Sequence, residues 1–501
     1  MSPLDSPVES SANGSSLLSL KQKRTTRHES EGIKLFSGGK RSAFALLLLA
    51  VCAAAACAPG MAAAAGQAMA ASLQSLIDQA RPGDTVTIPA GVYTGPIRVT
   101  KPLVLEAAGE VRLIGTGEEA VLTLRCDGAT VRGLSIVDER INPPAALVVE
   151  GSGNVLEQIE ISTLGTGVRL LNASGNTLTN IRVLGLIQEH AGGSQEAGGH
   201  DHAAESSAAA SAHAPLQKGN GIELFHSDQN RIMANQIVNV LDGVYLENSD
   251  ANHIENNQVE RSRYGYHLMG TAATTLMANT GSENVTGAMV MTTSGAVVKH
   301  NRFLKQRENP YSQGILLFDV TDSAVENNQV EGNRVGIFVE ESSGNRLAGN
   351  RLLRNFIGMQ IKESADNVVS ANLFVSNVIQ AQAQDSTANR FIGNYWDDLQ
   401  GLDLDGDGRS ELPYELNPFF LALTAAVPPY QLFFQAPGYV FLEGLFASSP
   451  HSSVRDEAPL LAPPASQADA AAAGPQTGLA LLSVLLLTGS CLFIYRGVRR
   501  S

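Results

Sequence analysis

The chain is short of the residues that usually knit a large globular core. Aromatics make up 5% of its 501 residues, with a single Trp, and there are four Cys. Cys52 and Cys57 lie in an N-terminal apolar run and Cys491 in a C-terminal one, so only Cys126 is left for the body and no disulfide framework is implied. Basic charge is also scarce: 35 Lys and Arg stand against 49 Asp and Glu, a formal balance of −14. No basic face builds up along the chain, which argues against a nucleic-acid partner. No repeat keeps helical spacing over ten residues, so leucine-rich and helical-pair repeats fit poorly. A nucleotide-binding loop is missing too; any ATP use would belong to partners.

What is present is a strict repeat. Asn recurs at Asn235, Asn257, Asn279, Asn301, Asn328, Asn350, Asn372 and Asn394, in steps of 22 with a single 27. Gly221, Gly243, Gly265, Gly287, Gly314, Gly336 and Gly358 keep the same steps, which places a five-residue insertion near Lys305–Tyr311. A period of this length marks a solenoid. After each Gly, apolar residues alternate, as in Ile222 and Leu224 or Ile337 and Val339, the period of a half-buried strand. The expectation is an all-β, right-handed parallel β-helix of ~22-residue turns, with equivalent residues stacked about 4.8 Å apart. Stacked Asn amides would then hydrogen-bond along its axis and satisfy the buried turn backbone.

The flanks divide the chain further. Residues 1–70 read as a leader, polar and basic before the apolar run Ala43–Ala58, so a signal peptide or N-terminal anchor is expected, with Cys57 a candidate for lipid attachment. The β-helix is expected over 71–416, opened by an amphipathic helix at Leu73–Ala80 that caps its first rung. Residues 187–218 form a His-rich insertion of low complexity, where His200 and His202 are either metal ligands or part of a solvated loop. In the closing loop, 393–416, Asp403, Asp405 and Asp407 alternate like half a calcium loop, though Tyr414 stands where the bidentate Glu would be. The other reading is a plain acidic turn. A cap (417–447), a Pro/Ala-rich linker (448–476), a transmembrane helix (477–496) and a basic cytoplasmic tail (497–501) would follow. The repeats are thus expected outside the membrane and tethered to it.

Stacking permits a test for chemistry. The outward positions after each Gly make two columns: Glu223, Tyr245, His267, Met289, Leu316, Phe338, Gln360, and Phe225, Glu247, Met269, Met291, Phe318, Glu340, Lys362. His267, Met269, Met289 and Met291 should form a square of roughly 5 by 7 Å on adjacent turns. Three thioethers and an imidazole are soft donors that favour Cu(I). The other reading is apolar docking of a partner, supported by Phe225, Tyr245, Leu316, Phe318 and Phe338 around the square. A rival class is a polysaccharide lyase or C5-epimerase, which needs an acid, a base and a charge neutraliser in one cleft. Glu223, Glu247, Asp319, Glu340 and Glu341 are available but scattered among apolar residues, with only Lys362 as a basic neighbour.

The block Gly393-Asn-Tyr-Trp396-Asp397-Asp398, followed by Asp403–Gly408 and Leu412-Pro413-Tyr414, resembles the signature that closes the repeats of the NosD family. Leu73–Asp84, Pro89–Tyr93, Lys101-Pro-Leu, Tyr264–Met269, Ala288–Met291 and Asp456–Leu460 are similar to that family as well, so the resemblance spans roughly residues 73–462. It implies a periplasmic, non-catalytic accessory protein for maturation of nitrous oxide reductase. It further implies as partners an ABC transporter ATPase and permease, a copper chaperone lipoprotein and the apo-reductase. Carried onto this chain, His267, Met269, Met289 and Met291 would contact copper or the chaperone. The His-rich insertion and the C-terminal span depart from what the resemblance leads one to expect of every member.

Overall fold

In a computed structural model, residues 73–187, 217–306, 312–416 and 454–464 are described. The leader, His200 and His202, the expected cap, the 477–496 span and the basic tail all lie outside them. Among the described residues no helix is long and apolar enough to cross a membrane.

The alternation read from the sequence becomes a parallel β-solenoid. Each regular turn gives one strand to a twelve-stranded sheet, running from Ile97–Val99 to Ile379–Gln384, and two short strands to a 25-stranded sheet. Register follows the period: Ile222 pairs with Val244, Tyr245 with His267, Ile315 with Ile337. Side chains at the inward positions, such as Ile222, Leu246, Leu268, Val290 and Leu317, join one continuous core along the axis. At the N-terminal end, helix 73–79 places Leu73 and Ile77 in that same core, so the first rung is covered as expected. The insertion leaves the stack intact, because Val168 pairs with Ile222 across it.

Two columns explain the repeat. At Gly265 and Gly287 a Cβ would lie 2.5 Å from the carbonyl oxygen of Gly287 and Gly314 respectively, so the close approach of successive turns excludes a side chain. The Asn column is a buried hydrogen-bonded ladder. The Oδ1 of Asn279 accepts the backbone N–H of Asn257 at 2.9 Å and its Nδ2–H at 3.0 Å, while Asn279 Nδ2 donates to Ile254 O at 2.9 Å. The residue before each Asn is left-handed, at φ 54° in Ala234, Ala278 and Asn327, which makes the corner that turns the amide inward.

The ladder ends on a residue assigned above to the Pro/Ala-rich linker. Asp456 Oδ2 accepts Asn394 N–H at 2.8 Å and Nδ2–H at 2.9 Å, as the next Asn would, and Trp396 Nε1–H at 3.3 Å. Arg455–Asp456 pairs with Phe391 and with Tyr414–Glu415, so residues 454–464 are the closing rung rather than a linker. The physical reason is plain: the last Asn has no further Asn to accept its donors, and a returning carboxylate accepts them instead.

Candidate functional site

The twelve-stranded sheet sets the four soft donors on two neighbouring strands. Tyr264–Met269 and Thr286–Ser294 pair with His267 opposite Met289 and Met269 opposite Met291. The alternate residues Leu268 and Val290 point into the core, which puts the His and Met side chains on the outer face.

That face is not open. Met289 is 5% exposed, Met291 2%, Leu316 2% and His267 7%. Met289, Met291 and Leu316 form an apolar cluster separate from the solenoid core, packed with Tyr264, Phe318 and Phe338. Leu316 is therefore no free docking residue, contrary to the sequence expectation. Phe225, Tyr245, Phe318 and Phe338 are half-buried, and Phe225 and Tyr245 meet edge to face with ring centroids 5.7 Å apart.

A residue the sequence reading passed over organises the His. Asp242, 1% exposed, lies on the preceding turn. Its Oδ2 is 2.9 Å from His267 Nδ1, and Arg263 grips both its oxygens, Nε to Oδ1 at 2.9 Å and Nη2 to Oδ2 at 2.8 Å. Burial alone would raise the Asp242 carboxyl, but the hydrogen bonds from His267 and Arg263 outweigh it and hold the group below its ordinary value. The imidazole sits 4.9 Å from the Tyr245 ring and 5.0 Å from the Tyr264 ring, and the Arg263 guanidinium lies over Tyr264 at 4.5 Å. His267 Nε2 is buried and has no hydrogen-bond partner among the described residues. On the second column, Tyr245 O–H donates to Glu247 Oε2 at 2.6 Å and stands 3.6 Å from Met269 Sδ. Burial, then the bond to Glu247, pushes the Tyr245 phenol upward, so it keeps its proton.

Asp242 was legible in principle. The position before each repeat Gly makes a third column, with Asp242 beside Tyr264, Thr286 and Gln313 in register.

An orphaned imidazole nitrogen in register with thioethers, screened from water, is a donor set that fits a soft monovalent cation. Three of the five carboxylates considered for sugar chemistry are instead engaged structurally. Glu223 is buried against Arg169 and accepts from Asn220 at 2.8 Å, Glu340 pairs with Lys362 at 2.6 Å, and Glu247 holds Tyr245. In the closing loop, Asp403, Asp405 and Glu411 gather their carboxylate oxygens within 4.8 Å, whereas Asp407 falls outside the group and accepts Arg409 N–H at 2.8 Å. Both oxygens of Asp403 already hold loop amides, Gly406 N–H at 2.6 Å and Gly408 N–H at 3.0 Å, which is the work of an acidic turn.

Comparison with known proteins adds one family. Residues 202–401 match the family described as "Periplasmic copper-binding protein (NosD)", in agreement with the resemblance seen in the motifs. No curated protein sequence matches. Among solved structures the chain is similar to the alginate lyase AlyF-OU02 at 14% identity, covering 64% of this chain and 82% of that one, TM-score 0.43. A family 28 exopolygalacturonase of Yersinia enterocolitica gives 11% identity, 63% and 74% coverage and TM-score 0.48. The mannuronan C-5 epimerase AlgE4 A-module of Azotobacter vinelandii gives 13%, 64%, 91% and 0.35. Likeness at this level carries no argument about chemistry.

Proposed function

With residues 202–401 matched to the periplasmic copper-binding NosD family, we propose that the chain is an exported, non-catalytic maturation factor for nitrous oxide reductase. Copper is its cargo. Its partners are a copper chaperone lipoprotein that donates the ion, the apo-reductase that receives it and an ABC transporter, and its C-terminal apolar run 477–496 tethers it to the membrane. One observation carries the reading: a buried His nitrogen without a partner among the described residues lies in register with a Met, beside a second Met pair on the same two strands. His267 Nε2 and the sulfurs of Met269, Met289 and Met291 would hold Cu(I), and neutral donors suit an oxidising compartment better than thiols. The flanking half-buried rings of Phe225, Tyr245 and Phe338 offer an apolar rim for the proteins that pass the ion.

The test is a strain carrying Met289→Ser with Met291→Ser. The solenoid should persist, because both side chains lie outside its core, while copper content of the reductase falls to background. Wild-type copper loading in that strain would sink the reading. Turnover of uronate polymers by the purified protein would favour a carbohydrate enzyme instead.

A further inference from the structure

The environment of His267 Nδ1 is built as deliberately as that of Nε2. Arg263 donates to both oxygens of Asp242, so the carboxylate acts as an acceptor at each, and its Oδ2, 2.9 Å from Nδ1, requires the ring to carry its proton there. In the neutral ring the other nitrogen, Nε2, then bears a bare lone pair. Asp242 cannot turn away, because Arg263 holds both its oxygens from the same turn that carries His267. Tyr245 and Tyr264 pack against the ring at 4.9 and 5.0 Å and restrict its rotation. Within the described residues no group takes the Nε2 lone pair.

We infer that Asp242, clamped by Arg263, is a positioning residue that fixes the His267 tautomer and presents Nε2 to an incoming soft cation. This rests on the copper reading and adds to it a reason for the buried ion pair. A carboxylate behind a ligating imidazole sets the ring's orientation and strengthens its free nitrogen as a donor. Without Asp242 the proton would distribute between the two nitrogens, and the Nε2–H form cannot bind a metal.

Two measurements on the full chain decide it, with Cu(I) itself as the probe. In 15N-His-labelled apo-protein, long-range 1H–15N spectra assigned by loss of signals in His267→Gln should show His267 protonated at Nδ1 and bare at Nε2. A ring protonated at Nε2 in the wild type would overturn the proposal without any Asp242 variant having to fold. In competition with a chromophoric chelator, Asp242→Asn should bind Cu(I) about 10- to 100-fold more weakly and show mixed tautomers, with an unchanged far-ultraviolet spectrum. A folded Asp242→Asn protein with wild-type Cu(I) affinity would overturn the clamp and leave the copper reading standing. Failure of the wild type to bind Cu(I) would overturn both.

Discussion

A single amide makes four hydrogen bonds in the axial ladder, one of them from Asn328 Nδ2 to Asn350 Oδ1 at 2.9 Å. Asn328 Oδ1 accepts Asn301 N–H at 2.9 Å and Nδ2–H at 3.0 Å, and its own Nδ2 donates to Val298 O at 2.9 Å. All of this is buried, so removing the amide strands donors and an acceptor where water cannot reach. Asn328→Ala should therefore cost about 1–3 kcal/mol, and urea unfolding followed by circular dichroism measures it. Asn328→Ser, which retains a short acceptor, should lose less; equal losses would show that the ladder's hydrogen bonds are not what holds the column. The column was readable in the sequence because each Asn has the same task and so recurs. His267, Met269, Met289 and Met291 were readable for a related reason, since register alone makes them neighbours. Asp242 is different. Its place in the column before the Gly can be read from the register, but its bond to His267 runs diagonally from one turn to the next, and an alignment of columns does not show a diagonal contact.

At the scale of the element, the outer face of the twelve-stranded sheet is buried at His267, Met289 and Met291, and half-buried at Met269 and further along, where Phe338, Gln360 and Lys362 stand. Alternation in the sequence gives the direction of a side chain but not whether its outer side is covered, so the burial of Leu316 does not show there. The closing rung was hidden for another reason. Its last acceptor, Asp456, comes from a segment 62 residues beyond Asn394 and carries no repeat signature. This rung also contains the chain's single Trp, stacked between Phe374 at 4.1 Å and Tyr414 at 4.3 Å. Beside it, burial pushes the Asp398 carboxyl above its ordinary value, against the hydrogen bond from Tyr414 O–H at 3.0 Å. Between the ordinary and the raised pKa the folded rung binds a proton that the open chain does not. Its stability therefore rises as pH falls through the raised pKa and is lost as pH climbs back. Trp396 emission should report a higher urea midpoint for the rung at the acid end of that window than at neutral pH. Asp398→Asn should flatten the dependence, and an unaltered slope in that variant would assign the effect to another carboxylate.

At the scale of the whole molecule, the solenoid is nearly one-dimensional, since each turn pairs only with its neighbours. Period and fold class were legible for this reason: one rule, repeated, fixes most of the structure. Gly287 tests how far a local fault travels. A Cβ there would lie 2.5 Å from the Gly314 carbonyl oxygen and 2.7 Å from the Phe303 ring, and the first of these is backbone of the next turn, which cannot yield without moving that turn. Overpacking of this kind costs about 1–3 kcal/mol. In Gly287→Ala, amide exchange should quicken in Tyr264–Met269, Thr286–Ser294 and Gln313–Thr321, the strand bearing the substitution and its two partners. Ile97–Val99 and Ile379–Gln384, at the two ends of the same sheet, should keep wild-type protection. The affected strands include those that hold His267 and the Met pair, so Cu(I) affinity should fall with the protection even though no donor has been changed. Uniform loss of protection from end to end would mean that the turns unfold as one unit, and that the donors are held by the whole stack rather than by the strands that carry them.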